Sequence, residues 1–305
     1  MAIVLGPNQY GKAEVRVVAV DRSSPRHTLV DLNVSSSLRG DFAAAHTAGD
    51  NAHVLTTDAQ KNTVFAFARD GVGSPEAFGL RLARHFAGSY DWITGARVAV
   101  ESYGWKRITV AGAEHDHAFR KSGAEVRTAV VTVDGDRAHV LAGLADLVVL
   151  KTTGSEFWGF PRDRYTTLAE TRDRILATAV TARWRYTADD LDLDAMPFDE
   201  MFAGVRDALL ETFASTHSLA LQQSLYAMGE AVLEQFPGIA EIRMSMPNRH
   251  HFLQDLSAYG LENTPEGGAV VYHADDRPYG LIEGAVLRDD VPPAEIAWQG
   301  TPGFC

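Results

Sequence analysis

The residues able to do chemistry fall into short, separated groups. Gly6-Pro7-Asn8-Gln9-Tyr10-Gly11-Lys12 has the glycine and lysine spacing of a phosphate-binding loop. The match stops there. Ala13 stands where a Mg²⁺-binding hydroxyl belongs, and the residues after Lys12 alternate as a strand instead of opening a helix whose free amides would cradle an anion. His115-Asp116-His117 would put two imidazoles on one face of a strand, but zinc needs a further ligand, and the adjacent His250 and His251 would face opposite ways. Asn248 and His250 are two apart, so in a strand an amide and an imidazole project together, a pairing suited to placing water or a small oxidant. Each pattern also has an ordinary structural reading. Asn248 follows Pro247 as turn residues do, Arg174 sits in a charged run, Gln222 lies about one turn after a Ser218 that would cap its helix, and Phe157 and Trp158 are by default core aromatics.

The elements that must position these groups are readable from periodicity. Ala13 to Val20 and His27 to Ser37 alternate as strands around a Ser23-Ser24-Pro25 turn, which predicts a hairpin. Thr56-Thr57-Asp58 offers capping side chains for a helix running to Arg69, and Ser74-Pro75-Glu76 opens a second helix that ends at Gly88 and Ser89. Strands are expected over Ala96 to Glu101 and Arg127 to Val133, closed by a tight turn at Asp134-Gly135. The second half repeats the order, with strands at Ala138 to Lys151 and Ile175 to Tyr186, two helices, then strands at Ile239 to Phe252 and Leu281 to Leu287. The helices show a 3.6-residue period in Met201, Phe202, Val205, Leu209 and Phe213, and again in Leu221, Leu225, Met228, Val232 and Leu233. A ββααββ unit occurring twice predicts an α+β chain of two tandem domains, 1–135 and 136–305.

Composition narrows the function. With 28 basic and 40 acidic residues the net charge is −12, which disfavours nucleic acid and anionic membrane surfaces, so an anionic substrate needs a local cationic pocket. No apolar run approaches a membrane span, and the single cysteine, Cys305, rules out an intrachain disulfide and suits a reducing compartment. The N-terminus lacks a basic leader and the C-terminus a peroxisomal signal, so a cytoplasmic location is expected.

Taken together, Tyr10-Gly11-Lys12, Thr57-Asp58-Ala-Gln-Lys-Asn62-Thr63, Phe157-Trp-Gly-Phe160 with Arg162 to Leu168, and Met246-Pro-Asn-Arg-His250 resemble the urate oxidase (uricase) family in order and spacing, across essentially the whole chain. His115-Asp-His-Ala-Phe119 adds to the likeness. The resemblance implies the tunnelling fold, in which two ββααββ units form antiparallel sheets backed by helices and a homotetramer closes them into a barrel-like tunnel. It implies a cofactor-free oxidation of urate by O2 at sites between subunits. Lys12, Thr57 and Asp58 would come from one chain. Phe157, Leu168, Arg174, Leu221, Gln222, Asn248, His250 and Ile282 would come from its neighbour. By the same likeness Lys12, Thr57 and His250 form a proton relay, Arg174 and Gln222 clamp the purine edge, Phe157 stacks on its face, and Leu168 and Ile282 are apolar walls. The N–H groups of Asp58 and Leu221 complete the rim, and Asn248 holds O2 and then water. Two competing readings are a zinc-dependent pterin or purine enzyme of the same fold, using His115, His117 and His250, and a purine-binding protein with no catalysis.

Overall fold

The computed structural model of the chain describes residues 1–187, 192–264 and 270–301; Cys305 lies outside them. Two long antiparallel strands open the chain, β1 (Tyr10–Asp21) and β2 (Thr28–Gly40), and they pair as the expected hairpin. A short helix α1 (Ala43–Ala48), which periodicity did not reveal, leads to α2 (Thr57–Arg69) and α3 (Pro75–Gly88). The two main helices begin where local chemistry says they must. Thr56 accepts the Ala59 N–H at the start of α2, and Ser74 accepts the Ala77 N–H at the start of α3, with Pro75 at the first helical position. Helix α3 buries Phe78, Leu80, Leu82, Ala83 and Phe86 against β3 (Ile93–Val110) and β4 (Ala113–Asp134). Each such side chain withdrawn from water contributes about 1.5–3 kcal/mol before chain entropy is counted.

Strands β3 and β4 are far longer than the expected segments at 96–101 and 127–133. Residues 102–126 continue the pair as a hairpin arm, anchored at its base by the buried carboxylate of Asp31, which accepts from Arg16, Lys121 (2.8 Å) and the Trp105 indole (3.0 Å). At the joint between halves β4 passes into β5 (Arg137–Lys151) through a two-residue turn, with Gly135 at φ +55° in the first position. The turn therefore centres on Gly135-Asp136, one residue beyond the expected pair.

The second half supplies β6 (Leu176–Tyr186), α4 (Phe198–Ser215), α5 (Leu221–Gln235), β7 (Ile239–Pro247), β8 (His250–Leu253), β9 (Tyr272–Asp275) and β10 (Leu281–Leu287). A single eight-stranded antiparallel sheet runs β1-β2-β3-β4-β5-β6-β7-β10 without closing on itself, so β1 and β10 are its edges. Helices α2 to α5 cover one face over a continuous apolar core. The other face carries a short helix α6 (Glu295–Trp298), whose Ala297 and Trp298 pack on Val130 and Leu141. The tandem α+β architecture with helix-backed antiparallel sheet is as expected. One strand was overdrawn: the segment read as 239–252 breaks at Pro247, and β8 leaves the main sheet to pair with β9 alone.

Candidate active site

Lys12 lies within β1 opposite Ser36, at the edge of a bulge that spans Lys12 to Val15. The neighbouring residues explain its placement. Gly11 admits the close approach of β2, since a Cβ there would sit 1.8 Å from the Ser36 carbonyl oxygen, and Tyr10 donates its hydroxyl to Leu55 O (3.0 Å) while its ring packs edge-on to Phe42. Ser36 in turn donates to the fully buried Gln60 of α2 (2.8 Å), whose amide donates to Leu55 O (3.3 Å). That chain of contacts fixes the first turn of α2, hence Thr57, against the strand that bears Lys12. The N–H groups of Thr57 and Asp58 open the helix and have no intrahelical acceptor. The Asp58 side chain turns back on its own helix toward Lys61 (2.6 Å) and Asn62 (2.9 Å). Lys61, most of all, with Asn62 and Lys12, holds its carboxyl below the usual range. Lys12, Thr57 and the Asp58 amide thus form one cluster on the β1 edge.

A second cluster is assembled around Ser155. The segment 154–157 runs between the residues before β6 and the start of α5. Phe157 exchanges backbone bonds with Thr171 (2.9 Å each way), Arg174 N donates to Ser155 O (2.9 Å), and Glu156 N donates to Ser218 O (2.7 Å). Arg174 bends over Phe157, with its guanidinium carbon 5.1 Å from the ring centroid, and its Nε donates to Ser155 Oγ (3.3 Å). Its two terminal nitrogens make no hydrogen bond among the described residues. Burial pulls the Arg174 pKa below its ordinary value. Phe157 itself is half-buried and stacks on Phe160 at 5.1 Å, so it is not the core aromatic that composition alone suggests, and Trp158 is 45% exposed.

Helix α5 is not capped by Ser218. Its cap residue is Ala220, which offers no side-chain acceptor, while the Ser218 hydroxyl donates to Ala220 O (3.1 Å) and accepts from Ser224 (2.7 Å). The consequence is that the first-turn amides of α5 lack a side-chain cap, in a helix end whose partial positive charge favours an anion and which Ser218 and Ser155 connect to Arg174. Gln222 is exposed and free to reach a ligand there. Neither Ser155 nor the uncapped end was foreseen; the only signal was Ala220 at a position where a capping side chain is usual.

Asn248 and His250 do not share a strand face, because residues 248 and 249 are where the chain changes sheets. Asn248 N donates to Gly280 O (2.8 Å), Asn248 bridges Thr178 near the start of β6, and Arg249 N donates to Ala177 O (2.9 Å). Ile282, opposite Met246, adjoins the same corner, since a Cβ on Gly280 would lie 3.0 Å from the Asn248 amide and 3.8 Å from Ile282. His250 begins β8 and stacks on Phe252 (5.5 Å). Leu168 is 49% exposed in the loop before Arg174. Arg174, Phe157, Leu221, Asn248 and Ile282 are therefore gathered at one end of β6, β7 and β10, and Lys12 and Thr57 are not among them. From β1 to β6 is five strand steps and to β10 seven, on the order of 25–35 Å along the sheet at about 4.8 Å per step.

The histidine pair behaves as its spacing implied: the His115 and His117 rings meet edge to face at 4.5 Å, with His27 5.7 Å from His117. Among the described residues no three His, Cys, Asp or Glu side chains converge as a metal-ligand set, and no described helix is long and apolar enough to cross a membrane.

Fold and site together define a tandem ββααββ protein in which a guanidinium, an aromatic face and an uncapped helix start are gathered at one end of the second half. The family model for uricase matches residues 8–132 and 140–283. The uricase of Arthrobacter globiformis is 56% identical over 99% of this chain and 96% of its own, and that of Dictyostelium discoideum is 36% identical over 92% and 96%. Among solved structures, the Arthrobacter globiformis uricase superposes with a TM-score of 0.90 at 56% identity, covering 98% of this chain and 99% of that one. The urate oxidase of Bacillus sp. TB-90 does so at 0.80 and 26%, covering 92% and 100%. The chain belongs to the uricase family.

Proposed function

We propose that the chain is a urate oxidase that converts urate, O2 and water to 5-hydroxyisourate and hydrogen peroxide. The observation that carries this reading is the Arg174 fork, held by Ser155 over the Phe157 ring beside the uncapped start of α5. A guanidinium gives a planar purine anion two parallel charge-assisted bonds, an aromatic face supports its ring, and helix N–H groups donate to its remaining oxygens. Arg174 and Gln222 clamp the substrate, Phe157 stacks on it, Leu168 and Ile282 wall the pocket, and the Asp58 and Leu221 amides complete the rim.

Lys12 is the base, the Thr57 hydroxyl relays its proton and His250 extends the path, while Asn248 holds first O2 and then the attacking water. No cofactor enters this scheme, because the deprotonated substrate is electron-rich enough to reduce O2 itself. Since the Lys12 cluster and the Arg174 cluster lie five to seven strands apart in an open sheet, we infer that the working site joins the first half of one chain to the second half of another, within a homotetramer whose sheets close a tunnel. The units meeting there are residues 1–135 and 136–305, jointed at the Gly135-Asp136 turn. A cytoplasmic location accords with a chain holding one cysteine.

Purified, chelator-treated protein given urate should take up O2 and release peroxide in equal amounts. Activity that requires an added metal, or an absence of urate-dependent O2 uptake, would overturn the proposal.

A further inference from the structure

On the sheet face opposite the main helices, a cavity of about 340 Å³ lies between β2, β3 and the C-terminal crossing segment, lined among others by Asn8, Ser37, Arg39, Arg97, Thr132 and Gln299. We propose that this cavity is a binding site for a tetrahedral oxyanion of the phosphate or sulfate class, separate from the urate pocket.

Three features support it. Arg97 is a half-buried cation that pairs with no carboxylate among the described residues; its Nη2 donates to Thr301 Oγ1 (2.6 Å). Its neighbours are Arg183 and Arg39, and burial together with those two like charges lowers its pKa to about 10, so it remains cationic at neutral pH in a place that disfavours charge. The nearby acids are spoken for: Asp134 pairs with Arg39 (3.1 Å), and Glu101 acts on Arg183. With Asp134 and Glu101 engaged by its neighbours, Arg97 is left without a carboxylate partner among the described residues, in a chain whose net charge is −12.

The second feature is an unpartnered hydroxyl. Thr132 is 3% exposed, directly opposite Arg97 in the β3–β4 ladder, and its buried Oγ1 has no hydrogen-bond partner among the described residues. A buried hydroxyl left so costs free energy that an oxyanion acceptor would recover. The third is space made by glycines. A Cβ on Gly95 would lie 2.9 Å from Arg39 Nη2, and one on Gly300, which has φ +66°, 3.5 Å from Arg97 Nη1. Side chains at either position would crowd the guanidinium groups that face the cavity.

The test titrates the full-length protein with inorganic phosphate at constant ionic strength, against chloride, by calorimetry and by thermal shift. Arg174→Gln serves as background, which removes the anion affinity of the urate pocket. Saturable binding with a rise in Tm is expected on that background. Arg97→Met should weaken it at least roughly tenfold, as loss of a charge-assisted bond requires, while raising or leaving unchanged the Tm in chloride, since a like charge has gone. Thr132→Val, close to isosteric, should weaken binding by a smaller factor and preserve the fold. Assayed in the otherwise native chain, Arg97→Met should leave the KM for urate unaltered. Absence of saturable phosphate binding up to tens of millimolar, or equal binding by Arg97→Met and Thr132→Val, overturns the proposal.

Discussion

Replacing Arg174 by lysine keeps the charge and removes the fork. In the native site Nε is engaged by Ser155 Oγ at 3.3 Å, so only the two terminal nitrogens remain for the substrate. Lysine retains one point donor, loses the parallel second bond and loses the Ser155 tether. A charge-assisted hydrogen bond contributes about 1.5–3 kcal/mol, so the substrate should bind about 10- to 150-fold more weakly. Because the clamp grips an edge of the ring that does not itself react, ground state and transition state lose alike, and the change should fall on KM with kcat altered by less than about threefold. Steady-state kinetics with urate, together with the Kd of a non-oxidisable purine, measure both quantities. Burial costs Arg174 some of its affinity for a proton, and the compact lysine ammonium, more strongly hydrated, would suffer more in the same place. A lysine variant with wild-type KM, or one whose entire defect lies in kcat, would refute the clamp.

Lys12→Met should abolish most turnover while leaving the affinity for a non-oxidisable purine within a few-fold of wild type, and Thr57→Ala should lose less; the reverse ranking in kcat would reassign the base. Arg127→Met should lower stability by about 3–5 kcal/mol, because it strands the fully buried carboxyl of Glu76, now held by two bonds from Arg127 (2.6 and 3.2 Å). At about 0.6 kcal/mol per degree for a chain of this length, that is a fall of roughly 5–8 °C in Tm. Burial already pushes the Glu76 carboxyl above its ordinary range against the pull of Arg127, and removing Arg127 raises it further. A carboxyl whose folded pKa is raised contributes most stability below its unfolded pKa and loses it as pH climbs through the folded one. The Arg127→Met deficit should therefore shrink toward pH 5 and grow toward pH 8, which thermal melts across that range would check.

What the sequence disclosed followed from how local the deciding physics was. The starts of α2 and α3 were legible because Thr56, Ser74 and Pro75 act within a turn of themselves, and β1 and β2 because one face is apolar. The arm at 102–126 was not, since its residues are mostly exposed and none of them is buried against the core. The break at Asn248 escaped notice because its amide is claimed by Gly280 and its neighbour's by Ala177, partners about 30 and 70 residues away. Site residues were the least legible. Lys12 read as a failed phosphate loop, Arg174 as a solvated charge and Ser218 as a cap, because each acquires its role from a contact made across the fold: Lys12 through Ser36 and Gln60, Arg174 through Ser155. Only the ordered set of motifs, compared with a family, pointed to them together.

The central claim is that the Lys12 half and the Arg174 half of a site come from different chains. Lys12→Met subunits, which lack the base, and Arg174→Gln subunits, assayed at urate far below their raised KM so that each variant alone shows little activity, can be co-expressed with distinct tags and purified as mixed oligomers. If each site draws one half from each of two subunits, random mixing leaves about one site in four with both halves native, and urate-dependent O2 uptake should recover to about a quarter of the wild-type rate. Mixed oligomers no more active than either parent variant would contradict the account.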